Sequence, residues 1–142
     1  MSTYVNIRER IRRNGDQQDD MQKLRNSKIF ETYRDILMIS AILGYRNHVS
    51  TPLQKGGPDG VLMQFFTERD YDIMDMLAYA ETKSPQIIKS DDKYEIFSSY
   101  ANAGFPILKK ILNLDLNNIT EADKRTALST LLAALLNDDV II

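Results

Sequence analysis

The stretch that decides the fold is residues 30–47, FETYRDILMISAILGYRN, and a second segment, residues 94–108, YEIFSSYANAGFPIL, completes it. In both segments apolar residues recur at the spacing of one face of an α-helix. The second half of the first segment, ILMISAIL, is apolar nearly all round, as in a helix at the centre of a fold. The two segments therefore predict a pair of helices that share one core.

The first of these helices is predicted to run from about Lys28 to Leu43. Asn26 or Ser27 can accept hydrogen bonds from the free amides of its first turn. Gly44 is predicted to end the helix, because glycine adopts the left-handed conformation after a helix at little cost.

Apolar residues at helical spacing predict helices elsewhere in the chain as well. A capping-box start, Ser90-Asp91-Asp92 followed by Glu95, opens the helix that contains the second segment. Thr120, with Asp123 three residues later, marks the start of the last helix. The remaining predicted helices cover about residues 17–25 and the stretch from Asp70 or Asp72 to about Glu81.

Two local features modify this helical pattern. Pro106 is expected to kink or split its helix near Gly104, because proline lacks a backbone donor and clashes with the preceding turn. Residues 61–66, VLMQFF, read as a short buried strand or as a loop-packing segment, with no obvious partner strand. The predicted fold class is therefore mostly α, a compact single domain of five or six helices with one short strand or hairpin near 61–66. Residues 1–16 form a basic N-terminal arm in this prediction, and residues 17–142 form the helical domain.

These helices are predicted to pack around one hydrophobic core. Tyrosines on the helical stripes are expected at the edge of that core rather than in a platform that stacks on bases. The predicted core residues are Phe30, Tyr33, Leu37, Ala41, Leu77, Phe97, Tyr100 and Leu108.

The composition excludes several kinds of site. The 142 residues include no cysteine, so disulfides, thiolate nucleophiles and cysteine-ligated zinc are excluded. His48 is the one histidine, and it reads as a surface residue of a loop. The N-terminus lacks the apolar segment of a signal peptide, and residues 36–43 are too few to cross a bilayer. These patterns predict a soluble, cytoplasmic protein without a cofactor.

The charge is uneven although the net charge is only −2. The predicted arm contains four closely spaced arginines, Arg8, Arg10, Arg12 and Arg13. Such a cluster can contact DNA phosphates, whose affinity for arginine falls as salt rises. The same cluster can instead contact an acidic partner protein, or it can be a tail without a role, and the sequence leaves all three readings open.

Acidic residues between positions 68 and 81 raise the alternative of a metal site. Asp72 and Asp75 share one face of the predicted helix, as carboxylates that bind a divalent metal would. Capping and a solvated face explain the acids better, because the helix dipole favours acids in a first turn. The GGPDG stretch at 56–60 is ordinary turn chemistry rather than a phosphate loop. No catalytic or metal-binding residue is therefore predicted, and the full acidic set is Glu68, Asp70, Asp72, Asp75 and Glu81.

The last predicted helix is unusually apolar. Residues 126–136 carry no charge, whereas the surface helix of a small monomer normally keeps a polar stripe. This helix is either central to the core or offers an apolar face to a second copy of the chain or to a larger subunit. The predicted interface residues are Leu128, Leu131, Leu132 and Leu135.

Several strings together resemble a small bacterial family, the fourth Dnd-system-associated protein. The strings are RERIRR at 8–13, ETYRDILMISAILGYRN at 31–47, Pro52-Leu53, and YEIFSSYANAGFPILKKIL at 94–112. In that family an arginine-bearing start leads into an FETYKDL helix, a PL loop and an EIFEEYANGG-IL helix. The resemblance covers about residues 8–112 and departs from the family at 14–28, at Pro106 and in the leucine-rich last helix.

The resemblance implies a genomic setting rather than a reaction. Members accompany genes for DNA phosphorothioation, in which sulfur replaces a non-bridging backbone oxygen, and for restriction of unmodified DNA. The implied role is a non-enzymatic accessory subunit of an anti-phage system that acts through protein contacts, and direct binding to the DNA backbone stays open. The alternative is a small helical regulator or toxin inhibitor unrelated to DNA phosphorothioation.

Overall fold

The computed structural model describes residues 4–136, and these residues form a mostly α-helical domain. One short antiparallel sheet accompanies the helices, and it consists of β1 (Arg10–Ile11) and β2 (Val61–Leu62). The predicted fold class is confirmed. The helices of the described chain are α1 (Gln18–Asn26), α2 (Tyr33–Arg46), α3 (Glu68–Thr82), α4 (Asp92–Leu112) and α5 (Glu121–Leu136).

Helices α2 and α4 pack closely against each other at the centre of the domain. Each contributes a glycine that faces the backbone of the other helix. A Cβ atom on Gly104 would collide with the carbonyl oxygen of Ser40, and one on Gly44 would collide with that of Tyr100. Glycine at both positions therefore permits the close approach of the two backbones.

The predicted bounds of α2 were wrong at both ends. The helix starts at Tyr33, where the Thr32 hydroxyl accepts a hydrogen bond from the Asp35 amide at 3.2 Å. Lys28, the predicted start, has a φ of +72° and lies in a turn. Gly44 does not end the helix, because it lies inside α2 at the contact with α4. A glycine can mark either a helix end or a close contact, and the sequence alone did not separate the two.

The capping contacts at the other helix starts agree with the sequence prediction only in part. Thr67 and Asp70 form a reciprocal capping box, which starts α3 slightly before the predicted position. Thr120 and Asp123 do the same for α5, as the sequence predicted. Helix α4 begins at Asp92, whose amide donates to the Ser90 hydroxyl at 3.1 Å. The predicted capping box with Glu95 was wrong, because the N-cap residue is Asp91 and its side chain makes no capping hydrogen bond.

Pro106 lies within α4, and the helix is not split there. The missing amide of a proline leaves the carbonyl four residues earlier without its helical partner. Here that carbonyl belongs to Asn102, and it accepts a hydrogen bond from Gln17 Nε2 at 2.9 Å. The contact with the segment before α1 therefore satisfies the acceptor that the proline leaves open, and the predicted split does not occur.

The partner of the strand near 61–66 lies in the predicted arm. Arg10 is opposite Leu62 and Ile11 is opposite Val61, and the Ile11 side chain is fully buried. A strand of two residues has too little pattern to be recognised in a sequence, so the pairing was not foreseen. The described part of the arm, residues 4–16, thus contributes a strand and a core residue to the domain.

One hydrophobic core joins the five helices and β1. Phe30 and Tyr33 are only partly buried and pack against it, whereas the other predicted core residues are buried. Within residues 4–136, no helix is long and apolar enough to cross a membrane. The predicted residues that lie in the core are Leu37, Ala41, Leu77, Phe97, Tyr100 and Leu108.

Candidate functional site

The structure separates the four arginines of the arm into two pairs. Arg13 is buried and stacks on the ring of Tyr33 at 4.3 Å, while its Nε donates to Gln18 Oε1 at 2.7 Å. Burial lowers the pKa of Arg13 from its ordinary value, although arginine remains charged in proteins. Arg10 donates from Nη1 to the Gly60 carbonyl at 2.9 Å. These two arginines therefore support the fold of the arm.

Arg8 and Arg12 form the second pair. Both side chains are exposed, and neither makes an ion pair or a side-chain hydrogen bond with another residue in the 4–136 range. They are the arginines of this cluster that remain available to an external partner.

A buried amide network joins the arm to α4 and to the loop at residues 50–58. Asn102 of α4 lies at its centre, and its Nδ2 donates to the carbonyl oxygens of Thr51 at 2.9 Å and Pro52 at 3.3 Å. Its Oδ1 accepts from Asn14 Nδ2 at 3.1 Å. Asn14 Oδ1 in turn accepts from the Gln54 amide at 2.8 Å. A buried polar network whose groups are bonded fixes geometry, so the arm and the loop are held in place.

These three segments enclose an open groove of about 960 Å³. The groove is lined by residues of the arm between positions 9 and 13, by the loop at 50–58 and by the first half of α4. Its volume lies at the upper end of the range for ligand sites in proteins. We refer to this feature as the arm–α4 groove.

Charges of both signs and apolar side chains line the arm–α4 groove. Arg12 and Lys55 supply exposed positive charge from the arm and the loop, and Asp92 and Glu95 supply exposed negative charge from α4. No ion pair joins these four residues to one another or to other parts of the described chain. The other charged residues that line the groove are half-buried or take part in contacts of the fold, and they are Glu9, Arg10, Arg13, Glu81 and Asp91. The apolar residues that accompany them include Pro52, Leu53, Pro58 and Ile96.

Three of the five acids between 68 and 81 make separate structural contacts. Asp70 belongs to the capping box of α3, and Asp75 pairs with Lys93 Nζ at 2.8 Å. Glu81 accepts a hydrogen bond from the Tyr100 hydroxyl. Burial, and then this bond, raise the pKa of Tyr100 above its ordinary value. Within residues 4–136, no group of three or more acidic, histidine or cysteine side chains is arranged to hold a metal ion.

Lys93 is a buried lysine that ties several segments together. Besides Asp75, its Nζ donates to the carbonyl oxygens of Tyr4 at 2.6 Å and Ile88 at 2.7 Å. The Tyr4 hydroxyl donates to the Asp91 carboxylate at 2.6 Å, and this bond raises the pKa of Tyr4 to about 12. Tyr4 is thereby fixed to the first turn of α4.

Helix α5 is apolar on two faces. Ala127, Leu131 and Ala134 are buried against the domain, and Leu135 is partly buried against the core. The other face is exposed, and the exposed fractions are 65% for Leu128, 50% for Leu132 and 85% for Leu136. Of the four predicted interface residues, Leu131 and Leu135 therefore belong to the fold, and Leu128 and Leu132 are available for contacts.

Sequence reasoning missed the two residues that organise this region, Lys93 and Asn102. No local pattern distinguishes Lys93, because lysine at a helix start is usually solvated. For Asn102 a signal existed in Pro106, which leaves its carbonyl open four residues earlier. His48 is exposed, as predicted.

Comparison with known proteins gives one family. The family model described as DNA sulphur modification system-associated protein 4 matches residues 10–135, from β1 to α5. No curated protein and no solved structure gives a significant match to the chain. The match includes the central helix pair and the three segments of the arm–α4 groove, and it confirms the resemblance read from the sequence. The chain therefore belongs to the family of DNA sulphur modification system-associated protein 4.

Proposed function

We propose that this chain is a non-enzymatic accessory subunit of a prokaryotic DNA modification–restriction system that defends against phage. It acts in the cytoplasm by contact with another protein of the DNA sulphur modification system. The observation that carries the proposal is the family match over residues 10–135, because the family is described by its association with that system.

The exposed face of α5 supports a role in protein contact. Leu128, Leu132 and Leu136 follow one another at four-residue intervals, so they form one stripe on the helix surface. Contiguous exposed apolar surface of this kind is typical of interaction sites rather than of a free monomer surface. The partner that we propose for this stripe is a component of the DNA sulphur modification system with a complementary apolar patch.

Co-purification with each component of the DNA sulphur modification system from the same organism tests the proposal. We expect one component to bind the wild-type chain and to elute with it on size-exclusion chromatography. Replacing Leu128 and Leu132 together by Asp should weaken this binding by about tenfold or more, because interface anchors typically contribute more than about 1 kcal/mol each. Ser129→Asp, on the same helix and also exposed, is the control and should bind as the wild type does.

Two results would count against the proposal. If none of the components binds the wild-type chain, the accessory role is wrong. If the chain instead inhibits a small toxin or regulates transcription without these components, the alternative of an unrelated regulator replaces it.

Direct contact with the DNA backbone is the second candidate function, and Arg8 and Arg12 support it. Arg10 and Arg13 are engaged within the fold, so two arginines rather than four are available to phosphates. Each phosphate contact contributes a slope of about −0.9 in log K against log salt, so this pair would give weak affinity with a total slope of about −1.8.

A further inference from the structure

The arm–α4 groove brings together charges of opposite sign that do not neutralise each other. Arg12 and Lys55 are exposed on the arm and the loop, and Asp92 and Glu95 are exposed on α4. Each of the four side chains is without an ion-pair partner among residues 4–136. A ligand that carries both signs of charge can therefore form ion pairs with both parts of the groove.

The charge arrangement distinguishes between two kinds of macromolecule. A nucleic acid backbone presents negative charge only, so Asp92 and Glu95 would repel it while Arg12 and Lys55 attracted it. A protein segment can present a basic side chain to α4 and an acidic side chain to the arm and the loop. Electrostatic complementarity of this kind selects partners and fixes their orientation.

The apolar residues of the groove favour the same partner. Pro52, Leu53 and Ile96 line the groove together with the charged residues. Interfaces between proteins commonly combine an apolar centre with a polar, solvent-accessible rim. The composition of the groove therefore matches a protein segment better than it matches a small anion or a sugar–phosphate chain.

The groove is also formed before any partner binds. Asn102 bonds to Asn14 of the arm and to Thr51 and Pro52 of the loop, so two of the lining segments are anchored to α4. The carbonyl of Arg13 leaves no room for a Cβ atom on Gly57, so the GGPDG turn packs directly on the arm. A site that needs no rearrangement loses less free energy on binding than one that must be ordered first.

We propose that the arm–α4 groove binds an extended segment of a partner protein that carries at least one basic and one acidic side chain. This inference rests on the proposed function, because the partner is a component of the DNA sulphur modification system. The basic side chain of the segment pairs with Glu95 and Asp92, and its acidic side chain pairs with Arg12 and Lys55.

Charge reversal on the two sides of the groove tests the inference. The probe is each purified component of the DNA sulphur modification system, titrated onto the full chain. Arg12→Glu with Lys55→Glu is one variant, and Glu95→Lys is the other. We expect each variant to weaken binding by about tenfold or more, because each places like charges against the segment. Lys110→Glu and Glu31→Lys, which are exposed and outside the groove, are the controls and should leave binding unchanged.

Circular dichroism melting of every variant separates a lost contact from a lost fold. If a component binds the wild-type chain and all groove variants equally, the inference is wrong while the proposed function stands. If no component binds the wild-type chain, both are wrong.

A third result would identify DNA as the occupant instead. The same variants are titrated with a duplex oligonucleotide at low salt. If Glu95→Lys strengthens binding of the duplex and Arg12→Glu with Lys55→Glu weakens it, while neither variant changes binding of the component, the groove binds phosphates and the protein-segment inference is overturned. We expect duplex binding to be weak, and we expect Glu95→Lys to weaken binding of the component.

Discussion

The two ends of the described chain are attached to the central helices by different kinds of contact. The arm is held by buried polar groups: Lys93 bonds to the carbonyl of Tyr4, and Asn102 bonds to Asn14. Helix α5 is held mainly by small and apolar side chains, such as Ala127 and Leu131, and by one hydrogen bond from Arg46 to the carbonyl of Leu135. Hydrogen bonds are directional, whereas the hydrophobic effect has no preferred direction. The arm is therefore fixed in orientation, as one side of a groove must be. The outer face of α5 is exposed and does not pack on the rest of the described domain.

The largest loss in the free energy of unfolding is expected for Lys93→Met, which acts on the attachment of the arm. The variant keeps much of the side-chain volume but removes the positive charge that faces Asp75 in a buried site. It also removes the donor for the carbonyls of Tyr4 and Ile88. Loss of one partner of a buried ion pair typically costs about 3–5 kcal/mol, so the free energy of unfolding in urea should fall by this order.

The control for this variant is Lys110→Met, on the same helix and exposed. It should change the free energy of unfolding by less than about 0.5 kcal/mol. Equal losses in the two variants would show that the buried polar attachment of the arm contributes nothing to stability.

A smaller loss is expected for Asn102→Ala. The variant leaves the buried Asn14 Nδ2 without its acceptor, and it removes the donor to the carbonyls of Thr51 and Pro52. An unsatisfied buried polar group costs about 1–3 kcal/mol, and the amides of the loop at 50–58 should exchange hydrogen faster. Asn118→Ala, at an exposed position, is the control for both measurements. Unchanged exchange in the loop would mean that other contacts hold it in place.

The smallest loss in the free energy of unfolding is expected for substitutions on the outer face of α5. Leu128→Ser and Leu132→Ser should each change the free energy of unfolding by less than about 0.5 kcal/mol, because both side chains are already largely exposed. Leu131→Ala, one position away and buried, should cost clearly more in the same urea titration. A large loss from Leu128→Ser would show that this face belongs to the fold, and the partner surface would have to lie elsewhere.

Local patterns in the sequence were sufficient for most of the helices. Thr120 with Asp123 marked the start of α5 because a capping box is a contact within one turn. The pairing of Arg10 with Leu62 was missed because it is short and joins distant parts of the chain. The end of α2 was misplaced because Gly44 meets Tyr100 of α4, a contact that only the folded chain contains.

The candidate site shows the same division between local and distant information. The sequence identified the arginine cluster and the leucine-rich helix by composition. It did not separate Arg12 from Arg13, which differ in exposure because of what packs on them from other segments. The arm–α4 groove was not predicted at all, since three separate segments enclose it.

Pro106 links a local feature of the sequence to a distant contact in the fold. Proline usually breaks a helix, but here it leaves the carbonyl of Asn102 without a helical donor. Gln17, which lies 85 residues before Asn102, supplies the donor instead. A residue with a backbone amide at this position would donate a helical hydrogen bond to the carbonyl of Asn102. That carbonyl would then have no need of a donor from another segment. The proline thus removes one hydrogen bond within α4 and thereby favours a fold in which the segment before α1 packs beside the helix.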